Sequence, residues 1–185
     1  MRQPIRLLLL ACVLALATAA LEAPRESAAG ERGVQAAAMP LDYLLVDITA
    51  YRRETWRWQA LMGVRRTRAT KVHRVRSPHY RRWVLNLWRK RAARHRRDAQ
   101  RPPHRAAWRC IQGLEGRWND PDPPYYGGLQ MDLTFQRLYG RDLLRKKGTA
   151  DRWTPIEQMW VAERAYRAGR GFYPWPSTAR YCGLI

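Results

Sequence analysis

Glu115 is a lone carboxylate at the end of a short predicted helix, within the run Trp108–Trp118. Gly116 follows it directly, and a glycine at this position is typical of a helix end. Apolar neighbours such as Ile111, Leu114 and Trp118 disfavour the charged form of a carboxylate, so it can hold a proton near neutral pH. A glycosidase acid needs this property. The alternative is a surface glutamate that happens to end a helix.

The elements that would position this carboxylate follow it in the chain. A loop rich in aspartate and proline leads to 125–132, where tyrosines and glycines predict a strand and a turn. Residues 152–167 predict a helix, with Thr154-Pro155 as its start and apolar residues at helical spacing. Gly169 and Gly171 end it. Strand and turn residues and then a helix are therefore expected to follow Glu115.

In their order, these elements resemble the transglycosylase-like domain of the resuscitation-promoting factors of actinobacteria. The resemblance covers residues 108–182, about two fifths of the chain. In the family a cysteine directly precedes the catalytic glutamate, whereas here Leu114 does and Cys110 lies about one helical turn further back. The matching elements are Trp108, Glu115-Gly116, Tyr126-Gly127-Gly128-Leu129-Gln130, Thr134-Phe135, Val161-Ala162-Glu163-Arg164 and Trp175-Pro176.

The resemblance implies a small lysozyme-like domain in which Glu115 is the catalytic acid acting on peptidoglycan glycan strands. It also implies a sugar cleft beside the glutamate. Gln130 and the backbone of Gly127 and Gly128 would bind the sugar by hydrogen bonds. The remaining predicted substrate contacts are Trp118 and Tyr126, through flat apolar faces, and Thr134.

The number of catalytic carboxylates decides between two reactions. Hydrolysis by two carboxylates requires a second group beside Glu115, for which Asp120, Asp122 and Asp132 are the candidates. Asp120 and Asp122 stand among prolines, so Asp132 is the preferred one. The resemblance favours the other course, in which one glutamate suffices and the product is a 1,6-anhydromuramic acid.

The cysteines and the first twenty residues point to export. Arg2 and Arg6 precede an apolar run of about ten residues, and small residues follow it, as in a signal peptide. The run is short of the roughly twenty residues that span a bilayer, so no stable span is expected after cleavage. Removal of 1–20 leaves Cys110 and Cys182, for which we predict a disulfide; the alternative is two free thiols.

The net charge of +20 is concentrated in one segment. Residues 65–105 contain 16 of the 35 lysines and arginines and a single acidic residue. Such a segment could be a solvated helix face, or could hold an exported protein at the anionic polymers of a cell envelope. Nucleic acid is the third possibility, and the export signal argues against it.

Helical spacing also organises the basic part of the chain. Residues 41–62 predict an amphipathic helix that ends near Gly63, and Ser77-Pro78 predicts the start of a second helix. An apolar stripe on this second helix should pack against a neighbour. The stripe consists of Tyr80, Trp83, Val84, Leu87 and Trp88.

The sequence thus predicts a mostly helical α+β protein, a small lysozyme-like domain preceded by a basic helical region. Its expected parts are a signal peptide over 1–20, a linker over 21–40, a basic helical region over 41–105 and the transglycosylase-like domain over 106–185. No metal or other cofactor is expected, because no histidine has metal-ligand spacing to a cysteine or carboxylate cluster.

The expected function is a secreted, wall-associated bacterial enzyme that cleaves peptidoglycan. Two alternatives stay open at this point. One is a binding module that recognises wall glycan without cutting it, and the other is a cationic protein that disrupts membranes through its tryptophan- and arginine-rich helix.

Overall fold

The computed structural model describes residues 41–74 and 76–185, and the signal peptide and linker predicted over 1–40 lie outside these residues. It is mostly helical with one two-stranded antiparallel sheet, which confirms the mostly helical α+β class. The helices are α1 (Leu41–Met62), α2 (Pro78–Ala99), α3 (Arg105–Glu115), α4 (Leu133–Tyr139), α5 (Arg141–Lys147), α6 (Pro155–Ala165) and α7 (Pro176–Tyr181). The strands are β1 (Tyr125–Tyr126) and β2 (Met131–Asp132).

The first two helices pack against each other as a hairpin. Gly63, with a φ of +64°, follows α1, and the side chain of Ser77 caps α2 by accepting a hydrogen bond from the Tyr80 amide. Buried residues of both helices and of the turn between them form a core. These residues are Ile48, Val72, Val84 and Trp88.

Trp83 departs from the predicted apolar stripe of α2. Its side chain is 55% exposed, whereas Val84 and Trp88 are fully buried. The ring of Trp83 stacks on that of Tyr80 at a centroid distance of 5.8 Å. The buried stripe is therefore narrower than the predicted one, and its residues Val84 and Trp88 pack with Ile48 of α1.

A second core lies in the C-terminal half of the chain. It joins α3, the strands, α6 and α7 through buried tryptophans and aliphatic residues, among them Trp108, Ile111, Leu129, Val161 and Trp175. Thr154 caps α6 in a capping box with Glu157, close to the predicted start of this helix.

A buried carboxylate fixes the start of α3 to α6. Glu163 is only 1% exposed, and its Oε1 accepts hydrogen bonds of 2.8 Å from the Trp108 indole and from the His104 amide. Because a buried carboxylate is costly without such donors, these bonds fix the position of α3.

The predicted disulfide between Cys110 and Cys182 is confirmed. It joins α3 to the residue that follows α7 and closes a loop with a sequence separation of 72 residues. The chain-entropy model assigns about 4 kcal/mol of stabilisation to a loop of this length. Helices α3 and α7 are therefore held together covalently.

Two arginines of the C-terminal half bind the end of α1. Arg164 Nη2 donates to the carbonyls of Ala60 (2.9 Å) and Leu61 (2.7 Å), and Arg167 Nη2 donates to that of Met62. The last carbonyls of a helix lack partners within it, and the last turn of α1 has no basic residue of its own.

A small apolar cluster of Met62, Ala99 and Trp160 completes this contact, and the Trp160 indole donates to the Ala99 carbonyl at 2.7 Å. The described residues belong to one compact unit. A division between 41–105 and 106–185 into two folding units stays a prediction.

No helix in 41–74 or 76–185 is long and apolar enough to cross a bilayer.

His95 is held in its neutral form within the hairpin. The Gln59 amide group donates to Thr67 Oγ1 at 2.7 Å and to His95 Nε2 at 3.2 Å, so this ring nitrogen accepts. Burial lowers the pKa of His95 below 6.5, and the nearby Arg94 and Arg91 lower it further, while Asp98 opposes them.

The hairpin should lose stability as the pH falls below about 6.5, the usual histidine value. The unfolded chain then binds a proton at residue 95 that the folded chain resists, so the free energy of unfolding decreases. Urea unfolding at a series of pH values between 7.5 and 5.5 measures this decrease. His95→Asn should flatten the dependence, and the same change at the exposed His79 should leave it. An unchanged slope in the His95 variant would contradict this origin.

Candidate functional site

Glu115 is the last residue of α3, and its side chain is half-buried. Thr178, on α7, donates a hydrogen bond of 2.7 Å from its Oγ1 to Glu115 Oε1. The disulfide brings α7 to α3 at this place, because Cys182, the residue that follows α7, comes four residues after Thr178 and so lies on the same side of the helix. The carboxylate therefore has a fixed orientation and a neighbouring hydroxyl group.

The residue after the carboxylate lies against two polar side chains of the following loop. A Cβ added to Gly116 would lie 3.0 Å from Asp120 Oδ2 and 3.1 Å from Gln130 Nε2. These two side chains bond to each other at 3.0 Å. The amide and the carboxylate thus lie close to the backbone beside Glu115.

Hydrogen bonds close the loop of 116–130 on itself. The Gly127 amide donates to the Asp120 carbonyl at 2.8 Å, and Gln130 Nε2 donates to the Gly127 carbonyl at 3.1 Å. Gly127 has a φ of +74°, which glycine adopts without strain. Gln130 has a φ of +46°, in a region that non-glycine residues rarely occupy. The Gln130 side chain is therefore placed by an uncommon backbone conformation.

The two strands bring the ends of this turn together, pairing Tyr125 with Asp132 and Tyr126 with Met131. The hairpin carries the predicted Tyr-Gly-Gly-Leu-Gln motif across its turn. The Trp175 indole donates to the Leu129 carbonyl at 2.6 Å, so the region of α7 also holds the turn.

Gln158 of α6 holds the turn in place through hydrogen bonds to backbone atoms. Its fully buried side chain accepts from the Gly128 amide at 2.9 Å and donates to the carbonyls of Trp118 (2.7 Å) and Ala150 (2.9 Å). A Cβ at Gly127 would lie 2.6 Å from Gln158 Oε1, so the close approach requires glycine. One amide group therefore ties both ends of the loop near Glu115 to α6.

The predicted sugar-binding residues differ in their burial and in their hydrogen-bond partners. Trp118 and Tyr126 are partly buried and pack against the C-terminal core, and Gly127 and Gly128 are buried with their amides already bonded inside the protein. Gln130 contacts Asp120 beside Gly116, and Thr134 is exposed in the first turn of α4. Their roles in sugar binding stay predictions.

The three candidate aspartates have different surroundings. Asp132 caps α4, because its Oδ1 accepts from the Phe135 amide at 2.6 Å. Asp122 is exposed, and Asp120 lies against Gly116. A second catalytic carboxylate at Asp132 stays a prediction, and its capping contact gives this residue a structural role. Of the three, Asp120 is the one found beside the residue that follows Glu115.

Thr178 and Gln158 are site residues that were not predicted from the sequence. A signal for Thr178 exists, since it precedes Cys182 by one helical turn and must share its face if Cys182 pairs with Cys110. For Gln158, two of the partners are backbone atoms of Gly128 and Trp118, 30 and 40 residues away, and the sequence carries no sign of them.

The part of the chain that the structure describes contains no group of three or more histidine, cysteine, aspartate or glutamate residues arranged to hold a metal ion. Comparison with known protein families, with curated protein sequences and with solved structures found no match to this chain.

Replacing Gln158 by leucine should lower the free energy of unfolding by about 3 kcal/mol, because a buried amide and at least two carbonyls lose their partner. Guanidinium unfolding with the disulfide intact measures the loss. Gln136 provides the matched control. It is equally buried, its Nε2 donates only to the Met131 carbonyl, and its Oε1 has no hydrogen-bond partner among the described residues. Gln136→Leu should cost about 1 kcal/mol or less. Equal losses would refute the anchoring role.

Proposed function

We propose that this chain is a secreted bacterial enzyme that cleaves the β-1,4 bond between N-acetylmuramic acid and N-acetylglucosamine in peptidoglycan. One observation carries the proposal. The Glu115 carboxylate is oriented by Thr178 and lies beside the loop that holds Asp120 and Gln130. The loop and the carboxylate are the parts in which the chain resembles the transglycosylase-like domain of the resuscitation-promoting factors.

The chemistry that one carboxyl group can perform is a proton relay. Protonated Glu115 gives its proton to the glycosidic oxygen, and the bond between that oxygen and the muramic anomeric carbon breaks. The muramic O6 hydroxyl then attacks the anomeric carbon and returns its proton to Glu115. The proton count closes without water, and the product is a 1,6-anhydro sugar.

Orientation of the acid contributes to such a reaction. Thr178 donates to one carboxylate oxygen of Glu115, which leaves the other oxygen to face the substrate. The Gln130 carboxamide, held by Asp120 and the Gly127 carbonyl, lies against the backbone of the residue that follows the acid. We assign to it the hydrogen bond that positions a sugar ring.

The basic segment favours retention at the envelope after export. Along 65–105 the cations far outnumber the acidic residues, and most of those on α2 are exposed. Anionic wall polymers attract such a surface within a Debye length of roughly 8 Å at physiological salt. This part of the chain would raise the local concentration of the enzyme on its insoluble substrate.

Glu115→Gln should lower the release of muropeptides from purified peptidoglycan at least about 100-fold, because glutamine cannot donate the proton. Mass spectrometry of the soluble products from the oxidised mature protein measures the release. Asp122→Asn, which removes an exposed carboxylate of the same loop, is the matched control and should keep full activity. Thermal unfolding checks that both variants are folded.

The product ends separate the two reactions. Ends of 1,6-anhydromuramic acid establish the single-carboxylate course, and reducing ends establish hydrolysis with a second carboxylate. Undiminished release by Glu115→Gln, or no release by the unsubstituted protein, would refute the proposed enzyme.

Thr178→Val should reduce the turnover number about tenfold with little change in KM, because a hydrogen bond to a charged group contributes about 1.5–3 kcal/mol. Thr178→Ser keeps the hydroxyl group and should restore most of the activity. Steady-state kinetics on solubilised glycan strands separate the two constants. A loss that Ser fails to restore, or a loss confined to KM, would argue against positioning of the acid.

A further inference from the structure

A groove of about 470 Å³ lies between the second half of α1 and the α5–α6 region, with residues from both halves of the chain in its walls. None of the residues in its walls belongs to the Glu115 site. Its walls contain Arg53, Trp56, Arg57, Trp58, Ala60, Leu61, Arg66, Asp142, Leu143, Lys146, Glu157 and Arg164.

The charge of these walls is positive. Five cationic side chains face two carboxylates, and each carboxylate already has a cation of its own. Asp142 pairs with Arg145 at 2.7 Å, and Glu157 pairs with Lys147 at 2.7 Å. Within 41–74 and 76–185, no ion pair of 4.0 Å or less joins any of the five cations to a carboxylate. An anion entering the groove would therefore meet uncompensated charge.

Arg164 contributes the most strongly desolvated of these charges. Its guanidinium donates to three backbone carbonyls, those of Tyr139, Ala60 and Leu61, which carry only partial charge. Burial lowers the pKa of Arg164, and the neighbouring Arg167 lowers it further, while Asp142 opposes them. A bound anion would offset this repulsion in a setting where water screens it weakly.

Arginines surround the aromatic surfaces of the groove. The Arg66 guanidinium lies 4.9 Å from the Trp56 ring centre, and Arg57 lies 4.7 Å from that of Trp58. Indole rings beside guanidinium groups offer flat apolar faces next to positive charge. Sugar rings that carry an acidic group present the matching surface, and pockets of 300–1,000 Å³ accommodate small ligands of this kind.

We infer that this groove binds an anionic glycan, a chain whose sugar units carry phosphate or carboxylate groups. The acidic groups contact Arg53, Arg57 and Lys146, and a sugar ring lies against Trp58. The site is independent of cleavage at Glu115. It also differs from a diffuse attraction to α2, because its cations converge on one concave surface.

Isothermal titration calorimetry on the oxidised mature protein tests this site with three probes of six sugar units. The probes are oligogalacturonate, which carries carboxylates, a phosphorylated maltohexaose, and neutral maltohexaose. At least one of the two anionic probes should bind with one-to-one stoichiometry, and the neutral probe at least tenfold more weakly. The probe that binds more tightly identifies the acidic group. Equal affinity for all three would overturn the inference.

Arg53→Gln/Arg57→Gln should weaken binding of the anionic probe at least tenfold. The matched control, Arg82→Gln/Lys90→Gln, removes two exposed cations of α2 and should change the affinity less than threefold. Equal losses in the two variants would show delocalised attraction and overturn the site, as would tighter binding of a single-stranded DNA 12-mer with the same sensitivity to Arg53 and Arg57. Glu115→Gln should bind the probe unchanged, so a failure of cleavage and a failure of this site are separable.

Discussion

The buried amide of Gln158 is the contact on which the arrangement around Glu115 depends. It supplies an acceptor to the Gly128 amide and donors to the Trp118 and Ala150 carbonyls, and the side chain is fully buried. The loop between Glu115 and β1 contains an exposed stretch of prolines, and the strands of the hairpin that follows are short. Little secondary structure therefore fixes this part of the chain. Gln158 ties this loop to α6, and Trp175 holds its turn from the α7 region.

Hydrogen bonds from side chains to backbone carbonyls also join the two halves of the chain. Arg164 and Arg167 supply donors to the last carbonyls of α1, and Trp160 donates to the carbonyl of Ala99. The same docking forms the cationic groove, because α1 and α6 each contribute one wall. Guanidinium groups that bind carbonyls stabilise this interface and keep their full charge. The same hydrogen bonding therefore leaves excess positive charge in the groove.

Much of the helical framework was predictable, because its determinants are local. The start of α2 followed from Ser77-Pro78, the end of α3 from Gly116, and the disulfide from the cysteines that remain after the leader. The site was predictable only in part. Glu115 and the Tyr-Gly-Gly-Leu-Gln turn were identified, but Gln158 resembles any polar residue of an amphipathic helix, and its partners in the loop are 30 and 40 residues away. Trp83 was wrongly placed in the buried stripe, since spacing alone does not give the width of a contact.

Because Cys110 and Cys182 form a disulfide, the arrangement of α3 and α7 depends on the redox conditions around the protein. Helix α7 has six residues, too few to be stable by itself, and the crosslink holds it to α3. With the cysteines reduced, α7 would lose its covalent link to α3, and the hydroxyl group of Thr178 would be held beside Glu115 less firmly. The arrangement of these two residues therefore depends on the redox conditions. It would differ between a chain in a reducing cytoplasm and the same chain in an oxidising compartment beyond the membrane. Oxidation of the two cysteines would then be the step that completes the arrangement around Glu115.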